Sequence, residues 1–309
     1  MRPLHYLVMI PLLLLTSCKE KAPETVKTGG PEMIDFRVIP FALTDVKLLD
    51  GPFKHATDLN IQTLLNYEPD RFLANFRTEA GLKPKAEHYM GWENETLAGH
   101  SLGHYLSGLS MMYQTTGNPE FLKRVNYIVD ELKVCQDAEG DGYIGAVPGE
   151  KKILLEEVAK GDIRSRGFDL NGIWSPFYTQ HKILAGLRDA YHLCGNKTAL
   201  EVEEKFAGWI WTVVSGMTDK QVQEMLRCEY GGISETFEDL YADTKNEKYL
   251  DLTNIFYQKV VLDSLKAEKD ILPGTHCNTN IPKLIALERL YELKGDTMNH
   301  RAAGFFWNA

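Results

Sequence analysis

The sequence predicts an all-α fold built from stacked helical hairpins. Its 309 residues are 44% hydrophobic, 25% charged and 10% aromatic, which is typical of a globular protein with a sizeable core. One phrase, in which an aromatic residue is followed by a Gly or Asn turn, recurs at Tyr113, Tyr191, Tyr241 and more loosely at Tyr291. Strand-like alternation is scarce, and only residues 36–49 suggest an extended start.

The repeated phrase reads as the end of one helix, a residue in the left-handed conformation and the start of the next helix. The last three copies begin 50 residues apart, a period typical of helical hairpins stacked as an open solenoid or a closed α/α toroid. The longer first interval contains residues 140–149 and 161–177, which suit loops at the mouth of a toroid. We expect Tyr143 at that mouth. The acidic turn before Tyr143 lacks the final Glu of a calcium loop, since Pro148 takes that position.

A helix over residues 97–115 is predicted to belong to the inner wall. Its apolar stripe includes Leu102, Leu106 and Leu109, while no Asp, Glu, Lys or Arg occurs between Thr96 and Asn118. A helix on the surface would carry charges, so this one should pack on one side and line a polar lumen on the other. The residues opposite the stripe are His100, Gly103, His104, Ser107 and Met111.

The N-terminus resembles a bacterial lipoprotein signal. An apolar run from Leu4 to Leu15 ends in Leu-Thr-Ser-Cys18, the pattern of a lipobox, and the run is too short for a permanent membrane span. We therefore predict a signal peptide over 1–17, a lipidated Cys18 with a flexible linker over 18–35, and a folded body over 36–309. This predicts a chain held by lipid at a bacterial membrane, in the periplasm or at the cell surface. The formal charge of −9 disfavours nucleic acid as a partner.

Three histidine positions are candidates for binding. His100 and His104 have the four-residue spacing of a zinc protease, but the Glu needed at the second position is Ser101, so a polar lumen wall is favoured over a metal site. His181, with Tyr178, follows an aromatic loop into a helix, where it could contact a sugar or be a satisfied core histidine.

His276 directly precedes a predicted helix N-terminus, where it could help to hold hydroxyls or an anion, or where Asn278 to Asn280 could simply cap the helix. Pro282 is predicted in the first turn of that helix. Glu93 and Glu235 are candidate carboxylates. Cysteines 135, 194 and 228 are expected to be buried thiols, or to include a disulfide in an oxidising compartment.

Seven phrases in order resemble the beta-L-arabinofuranosidases of glycoside hydrolase family 127 and the related family 146. They are Leu65-Asn-Tyr-Glu-Pro-Asp-Arg-Phe-Leu-Ala-Asn-Phe-Arg77 with Ala80-Gly-Leu82, Gly91-Trp92-Glu93, Gly99-His100-Ser-Leu-Gly-His104-Tyr-Leu-Ser107, Cys135-Gln-Asp-Ala-Glu-Gly-Asp-Gly-Tyr143, Tyr178-Thr-Gln-His181-Lys-Ile-Leu-Ala-Gly-Leu187, Gly231-Gly-Ile-Ser-Glu235 and His276-Cys-Asn-Thr-Asn-Ile-Pro-Lys283. The likeness runs from about Phe41 to the last residue.

This resemblance implies an (α/α)6 barrel whose lumen binds a terminal arabinofuranose. It implies retaining hydrolysis, with a zinc-held cysteine thiolate as nucleophile and a Glu as acid/base. His181 and His276 match sugar-contacting histidines of the family. The resemblance also implies substrate-binding roles for Tyr178, His104, His100, Trp92 and Glu93. Cys277 is commonly Ala in this family, which argues against a catalytic role.

The resemblance stops before the family's catalytic groups. Its acid/base Glu, its Glu-x-Cys zinc ligands and its paired cysteines follow the helix after His276, whereas this chain has no Cys after Cys277 and stops at Ala309. We therefore expect the N-terminal part of such a barrel, with no catalytic residue and no zinc ligand of its own and with little hydrolysis alone. The expected partner is an arabinose-containing oligosaccharide or polysaccharide. A non-catalytic glycan-binding lipoprotein and an α/α-toroid lyase acting on uronic acid polymers are the alternatives.

Overall fold

The computed structural model describes Ile34, Phe36 and residues 38–309, and this part is predominantly helical. Its α-helices are α1 (Pro52–Asn66), α2 (Pro69–Glu79), α3 (His100–Thr116), α4 (Pro119–Glu139), α5 (Glu150–Glu156), α6 (Pro176–Cys194), α7 (Lys197–Val214), α8 (Asp219–Met225), α9 (Ile233–Thr244), α10 (Lys248–Ile255), α11 (Lys259–Lys266), α12 (Cys277–Lys294) and α13 (Thr297–Asn308). Short 3₁₀ helices span Leu43–Asp45, Gly91–Asn94 and Val158–Lys160. The helical fold class is thus confirmed.

One small sheet interrupts the helices between α5 and α6. Its antiparallel strands are β1 (Ser165–Arg166), β2 (Asp169–Leu170) and β3 (Ile173–Trp174), in the order β1-β2-β3. The sheet lies within the 161–177 loop that the sequence indicated, and it leads directly into the first turn of α6.

The predicted hairpin turns close four helix pairs: α3 with α4, α6 with α7, α9 with α10 and α12 with α13. Each first helix ends at a residue with φ between 63° and 73°, the left-handed conformation that stops a helix. These residues are Gly117, Gly195, Lys245 and Gly295.

The residue after each turn starts the second helix of the pair. The side chains of Asn118, Asn196, Asn246 and Asp296 accept hydrogen bonds from backbone N–H groups of the helix that follows. They satisfy donors that have no partner within a helix's first turn. The repeated phrase is therefore a pair of caps, and its chemistry explains why the hairpins recur.

The first helices of the four pairs form an inner wall. Helices α3, α6, α9 and α12 pack side by side in that order, while α4, α7 and α10 form an outer layer behind them. Tyr178 at the start of α6 lies against His100 at the start of α3, and His181 bonds to Gly232 just before α9. The inner helices are thus parallel, and their N-termini meet at one end.

Helices α3 and α6 approach each other through glycines. A Cβ on Gly103 would lie 2.1 Å from the Lys182 carbonyl oxygen, and one on Gly186 would lie 2.7 Å from the Gly103 carbonyl oxygen. The sequence analysis placed Gly103 on the lumen face, which is wrong. Its missing side chain is what allows the two backbones to touch.

The hydrophobic core consists of two clusters. The main one runs from Phe72 on α2 to Phe256 after α10 and contains the predicted apolar stripe of α3. The second is smaller and is built from α11, α12 and α13, with Leu262, Leu284 and Leu287 at its centre. Each large apolar side chain buried in either cluster contributes about 2 kcal/mol relative to exposure.

Residues 38–49 contain only the 3₁₀ turn Leu43–Asp45 and expose several large apolar side chains, including Phe41 and Leu49. Within the described residues no helix combines the length and the apolar character that a membrane span requires. The signal peptide, Cys18 and nearly all of the linker fall outside the described residues.

Two further local predictions differ from the structure. Tyr143 is not at the mouth but fully buried, with its hydroxyl donating to Glu150 Oε2 at 3.1 Å. Gly145 makes room for it, since a Cβ there would lie 1.9 Å from the hydroxyl oxygen. Helix α12 begins at Cys277, so Pro282 lies in its second turn rather than its first. Among the cysteines of the described part no disulfide forms; Cys135 and Cys228 are buried thiols as expected, and Cys194 is half-buried.

Candidate functional site

The predicted binding residues gather where the inner helices begin. We call this end of the inner wall the mouth, and define it by Trp92, Glu93, His100, His104, Tyr178, His181, Glu229 and His276. Helix N-termini carry partial positive charge and free N–H groups, which favours ligands with oxygen atoms.

His100 presents a hydrogen-bond acceptor at the mouth. Its Nδ1 lies 2.8 Å from the Leu97 carbonyl oxygen, which can only accept, so Nδ1 carries the proton and Nε2 has the free lone pair. The imidazole is buried on one side and faces two aromatic rings on the other. The ring centroids of Trp92 and Tyr178 lie 5.4 Å and 6.3 Å away.

Glu93 is buried directly behind this histidine. Its Oε2 accepts from the Gly99 backbone N–H at 2.9 Å, while Oε1 lies 3.9 Å from His100 Nδ1 and has no hydrogen-bond partner among the described residues. Gly99 has φ of 101°, and a Cβ there would lie within about 3 Å of Ala146 and Phe76. The glycine thus lets the chain turn into α3 while it fixes the carboxylate.

His181 presents the opposite chemistry. Its Nδ1 accepts from the Gly232 backbone N–H at 3.0 Å, so Nε2 carries the proton and is a donor. Burial, with Lys182 and His104 nearby, holds the pKa of His181 well below its usual range, which keeps the ring neutral. A Cβ on Gly231 would lie 2.9 Å from Nδ1, so this bond depends on the glycine pair.

His104 lies one turn along α3 from His100, with ring centroids 6.1 Å apart. Partial burial and the nearby positive charge of Lys182 lower the pKa of His104 to about 4. It is therefore also neutral at ordinary pH, and its side chain is exposed on the lumen side of the helix. The lumen-facing, substrate-binding role of His104 stays a prediction.

His276 is exposed at the start of α12, with Nδ1 3.3 Å from Thr279 Oγ1. The ring of Phe168, from the β1–β2 turn, lies 5.9 Å from it, so the small sheet reaches the mouth. Tyr178 is linked to the same helix, because the Asn278 side chain bonds to its hydroxyl; burial raises the pKa of Tyr178. These contacts tie α12 to α6 across the mouth.

Glu229 is a mouth residue that the sequence analysis missed. Its carboxyl is buried and Oε1 has no partner among the described residues. Burial raises the pKa of Glu229, while His276, Thr279, Lys283 and Lys182 act in the opposite direction. A signal was present, since Glu229 lies two residues before the Gly231-Gly232 pair, where a charged side chain is held close to a backbone turn.

The other end of the inner wall is built from ion pairs. We call it the floor, defined by Arg188, Asp239, Asp243 and Arg289. Asp239 Oδ1 lies 2.9 Å from Arg289 Nε, and Oδ2 lies 3.3 Å from Arg188 Nη1. The candidate carboxylate Glu235 lies one turn before Asp239, in the first turn of α9 and so nearer the mouth, and burial together with Asp239 raises its pKa to about 7.

The described residues do not fit the zinc that the family resemblance implies. His100 Nδ1 is already bonded to a carbonyl, and the rings of His100 and His104 stand nearly perpendicular, at 89°. In the described part of the chain no group of three or more His, Cys, Asp or Glu side chains is placed to hold a metal ion. Burial raises the pKa of both Cys135 and Cys228 to about 12, so these thiols stay protonated.

Comparison with protein families and solved structures gives consistent matches. Residues 45–309 match the family model described as beta-L-arabinofuranosidase, GH127 catalytic domain. Comparison with curated proteins gives no match. A solved GH127 beta-L-arabinofuranosidase from Geobacillus stearothermophilus T6 is similar over 85% of this chain, with a TM-score of 0.58 and 16% identity. This chain spans 44% of that enzyme, so it has the fold of part of an (α/α)6 barrel. A second solved structure, a glycoside hydrolase, has a TM-score of 0.43 and 13% identity over 77% of this chain and 34% of its own.

Proposed function

The chain belongs to the family of GH127 beta-L-arabinofuranosidase catalytic domains, and from that membership we propose that its mouth binds the terminal arabinofuranose of a plant glycan. The observation that carries the proposal is a pair of imidazoles that the backbone holds in opposite ways. Nδ1 of His100 donates to a carbonyl oxygen, so its Nε2 accepts when the ring carries one proton, whereas Nδ1 of His181 accepts from a backbone N–H, so its Nε2 is a donor.

A sugar hydroxyl both donates and accepts, so a site that selects sugars benefits from fixed groups of each kind. The tautomers are fixed by backbone atoms, which means that little reorganisation accompanies binding. The exposed Trp92 and half-buried Tyr178 beside them supply flat apolar faces for the C–H groups of a furanose. Neutral imidazoles also favour a neutral sugar over the uronic acid polymers of a lyase.

Hydrolysis, in this proposal, does not use the two buried thiols. Cys135 and Cys228 cannot act as thiolates near neutral pH, because the pKa of each is raised to about 12. Within the described residues Glu93 and Glu229 are carboxyl groups at the mouth with one oxygen unpartnered, and we assign them to positioning the sugar. The chain alone is thus a recognition unit that would turn over arabinofuranosides slowly or not at all.

The binding test compares closely related sugars and matched histidine variants. Calorimetry with methyl beta-L-arabinofuranoside should show saturable binding, with weaker binding of the corresponding pyranoside. His181→Ala and His100→Ala should each reduce affinity at least tenfold. His300→Ala is the control, because His300 is an exposed histidine on α13, paired with Glu288 far from the mouth. Equal affinity in all four proteins would refute the proposal.

A glycan-binding role without catalysis is the alternative that the buried, protonated thiols favour. Incubation with an aryl beta-L-arabinofuranoside, with and without added zinc, separates the two functions. Binding without product supports recognition alone. Robust release of the aryl group would overturn the proposal that this chain binds arabinofuranosides without hydrolysing them at an appreciable rate.

We also propose that Cys18 is lipidated and that residues 18–35 tether the domain to a bacterial membrane, which would bring the mouth to glycans in the periplasm or at the cell surface. The support is the sequence Leu15-Thr-Ser-Cys18 after an apolar run. Mass spectrometry of the protein expressed in bacteria should find a diacylglyceryl group on Cys18, and Cys18→Ser should release the protein from the membrane fraction. An unmodified Cys18 would contradict this assignment.

A further inference from the structure

A second polar pocket lies behind the inner wall, away from the mouth. It has a volume of about 130 Å³ and lies where the two core clusters meet, between the α9–α10 and α12–α13 hairpins, with α11 along one side. At about 30 Å³ per water molecule, its volume corresponds to about four waters. Its rim includes the exposed Asn254 and Asp296, so it opens to the outer surface.

Two buried side chains from opposite hairpins bring unpartnered oxygen atoms to this pocket. Glu238 on α9 and Asn299 on α13 are each 1% exposed, yet Glu238 Oε2 and Asn299 Oδ1 have no hydrogen-bond partner among the described residues. A buried polar atom without a partner is costly, so native proteins pair such atoms with protein, water or ligand. Both side chains line the same hollow, which points to one shared occupant.

A donor stands in the same pocket. Lys283 Nζ donates to Gln258 Oε1 at 2.6 Å and to Asn280 Oδ1 at 3.2 Å, which uses two of its three ammonium N–H groups among the described residues. The ammonium lies 5.0 Å from the centre of the Tyr230 ring. Its position gives the pocket a donor beside an aromatic face.

A charged occupant is disfavoured in this pocket. Lys266 and Lys283 line it together with Glu238 and Asp296. Burial raises the pKa of Glu238 well above its usual range and lowers that of Lys283 to about 8, so burial in this pocket acts against charge of either sign. The remaining wall is apolar, with Phe256 and Leu287 among its members.

We propose that this pocket binds a small neutral polyol, glycerol- to pentose-sized, at a site separate from the mouth. Its hydroxyls would hydrogen-bond with Glu238 Oε2, donate to Asn299 Oδ1 and accept from Lys283, while its C–H groups lie on the apolar wall. The inference rests on the pocket's own geometry and not on the function proposed for the mouth.

The test is an NMR titration of the full chain with glycerol and, separately, with L-arabinose. The side-chain amides of Asn299 and Asn254 report on the pocket, and the imidazole of His104 reports on the mouth. The wild-type amides should shift in a saturable way. Ala286→Leu fills the pocket from α12, and Asn299→Leu removes an acceptor at nearly constant volume; each should weaken binding at Asn254 at least fivefold.

His104→Ala is the matched control and should leave the pocket titration unchanged, which makes a failure at the mouth distinguishable from a failure here. If Ala286→Leu does not fold, Asn299→Leu alone decides the outcome. Shifts that grow linearly across the whole spectrum would show a solvent effect only and overturn the proposal. Saturable shifts that survive the pocket substitutions would overturn it as well.

Discussion

The mouth and the floor of the inner wall are made by the same helices but use their polar side chains differently. At the floor, Asp239 is held between Arg188 and Arg289, and Arg188 also lies 3.4 Å from Asp243 through Nε. At the mouth, His100 and His181 each bond once to the backbone and leave the other ring nitrogen unused by those contacts.

This difference teaches which end can accept a ligand. Charges at the floor neutralise one another, so a sugar arriving there would have to compete with ion pairs already formed. Buried ion pairs of this kind contribute more to the positions of helices than to stability. The mouth is organised by hydrogen bonds to backbone groups, such as those of His100 and His181, and each of these side chains keeps a second ring nitrogen that a ligand can use.

Burial acts against charge on bases and acids alike along the inner wall. At the mouth, burial and nearby cations lower the pKa values of His104 and His181, so both histidines are neutral. In the first turn of α9, burial and a neighbouring carboxylate raise the pKa of Glu235 to about 7. The same physical cause therefore moves the pKa of a base and the pKa of an acid in opposite directions.

The largest expected effect comes from the close contact between the backbones of α3 and α6. In Gly103→Ala the new Cβ would lie 2.1 Å from the Lys182 carbonyl oxygen, so α3 and α6 must separate. We expect a loss of about 3 kcal/mol in the free energy of unfolding, measured by urea denaturation.

Gly108→Ala on the same helix is the control, because its Cβ would meet only the Leu64 side chain, at 3.8 Å. It should be neutral or stabilise the protein by up to about 1 kcal/mol, since Ala is the better helix former. Similar losses in both variants would mean that helix propensity, and not the close approach, is what matters at Gly103.

The next largest effect should come from a substitution at the floor that lowers stability but leaves sugar binding unchanged. Asp239→Asn removes the carboxylate shared by Arg188 and Arg289, each of which retains one other acidic neighbour. We expect a loss of about 2 kcal/mol in unfolding free energy, because two buried cations lose a partner. Arabinofuranoside affinity should stay within twofold.

Asp251→Asn on α10 is the matched control, since Asp251 is exposed and its change should cost less than about 0.5 kcal/mol. A large affinity loss in Asp239→Asn without a stability loss would reverse the roles assigned to the two ends.

The caps and the periodicity of the hairpins could be predicted from sequence because they are local. The turn after each inner helix depends on a left-handed residue and an Asn or Asp that follows at once, as at Gly117 and Asn118. The apolar stripe of α3 could be predicted for the same reason, since a helix places residues three and four apart on one face.

What could not be predicted depends on which backbone lies opposite a side chain. Gly103 was read as part of the lumen, but its role is set by the Lys182 carbonyl on another helix. Tyr143 follows a glycine-rich turn and looked like a loop aromatic, yet Glu150 and Gln180 form a buried polar group that draws it inward. Glu229 acquires its place at the mouth from α12, nearly 50 residues away.

A smaller effect should appear in binding alone. His104→Ala removes an exposed side chain from the lumen face of α3, so the unfolding free energy should change by less than about 0.5 kcal/mol. Affinity for the arabinofuranoside should fall about tenfold, or about 1.4 kcal/mol. Asp239→Asn should lose stability and keep affinity, whereas His104→Ala should lose affinity and keep stability. If both variants lost stability and affinity together, the distinction between mouth and floor would be wrong.

The smallest effect is a pair of opposed slopes in stability against pH. The folded pKa of His104 is about 4 and its unfolded value about 6.5, so between these values the unfolded chain binds more protons and stability falls as pH falls. The folded pKa of Glu235 is about 7 and its unfolded value about 4.5, so the native state binds more protons and stability falls as pH rises through that range. His104→Gln should therefore remove part of the loss of stability on acidification, and Glu235→Gln should remove part of the loss on approaching neutrality. Both are measured as urea midpoints from pH 4.5 to 6.5.

The charged and titratable groups around His104 are Lys182 and His100, and those around Glu235 are Asp239, Arg188, Arg289 and Lys182. A common slope in the two variants would mean that a third group titrates, and the assignment of one pH response to His104 and the opposite one to Glu235 would be wrong.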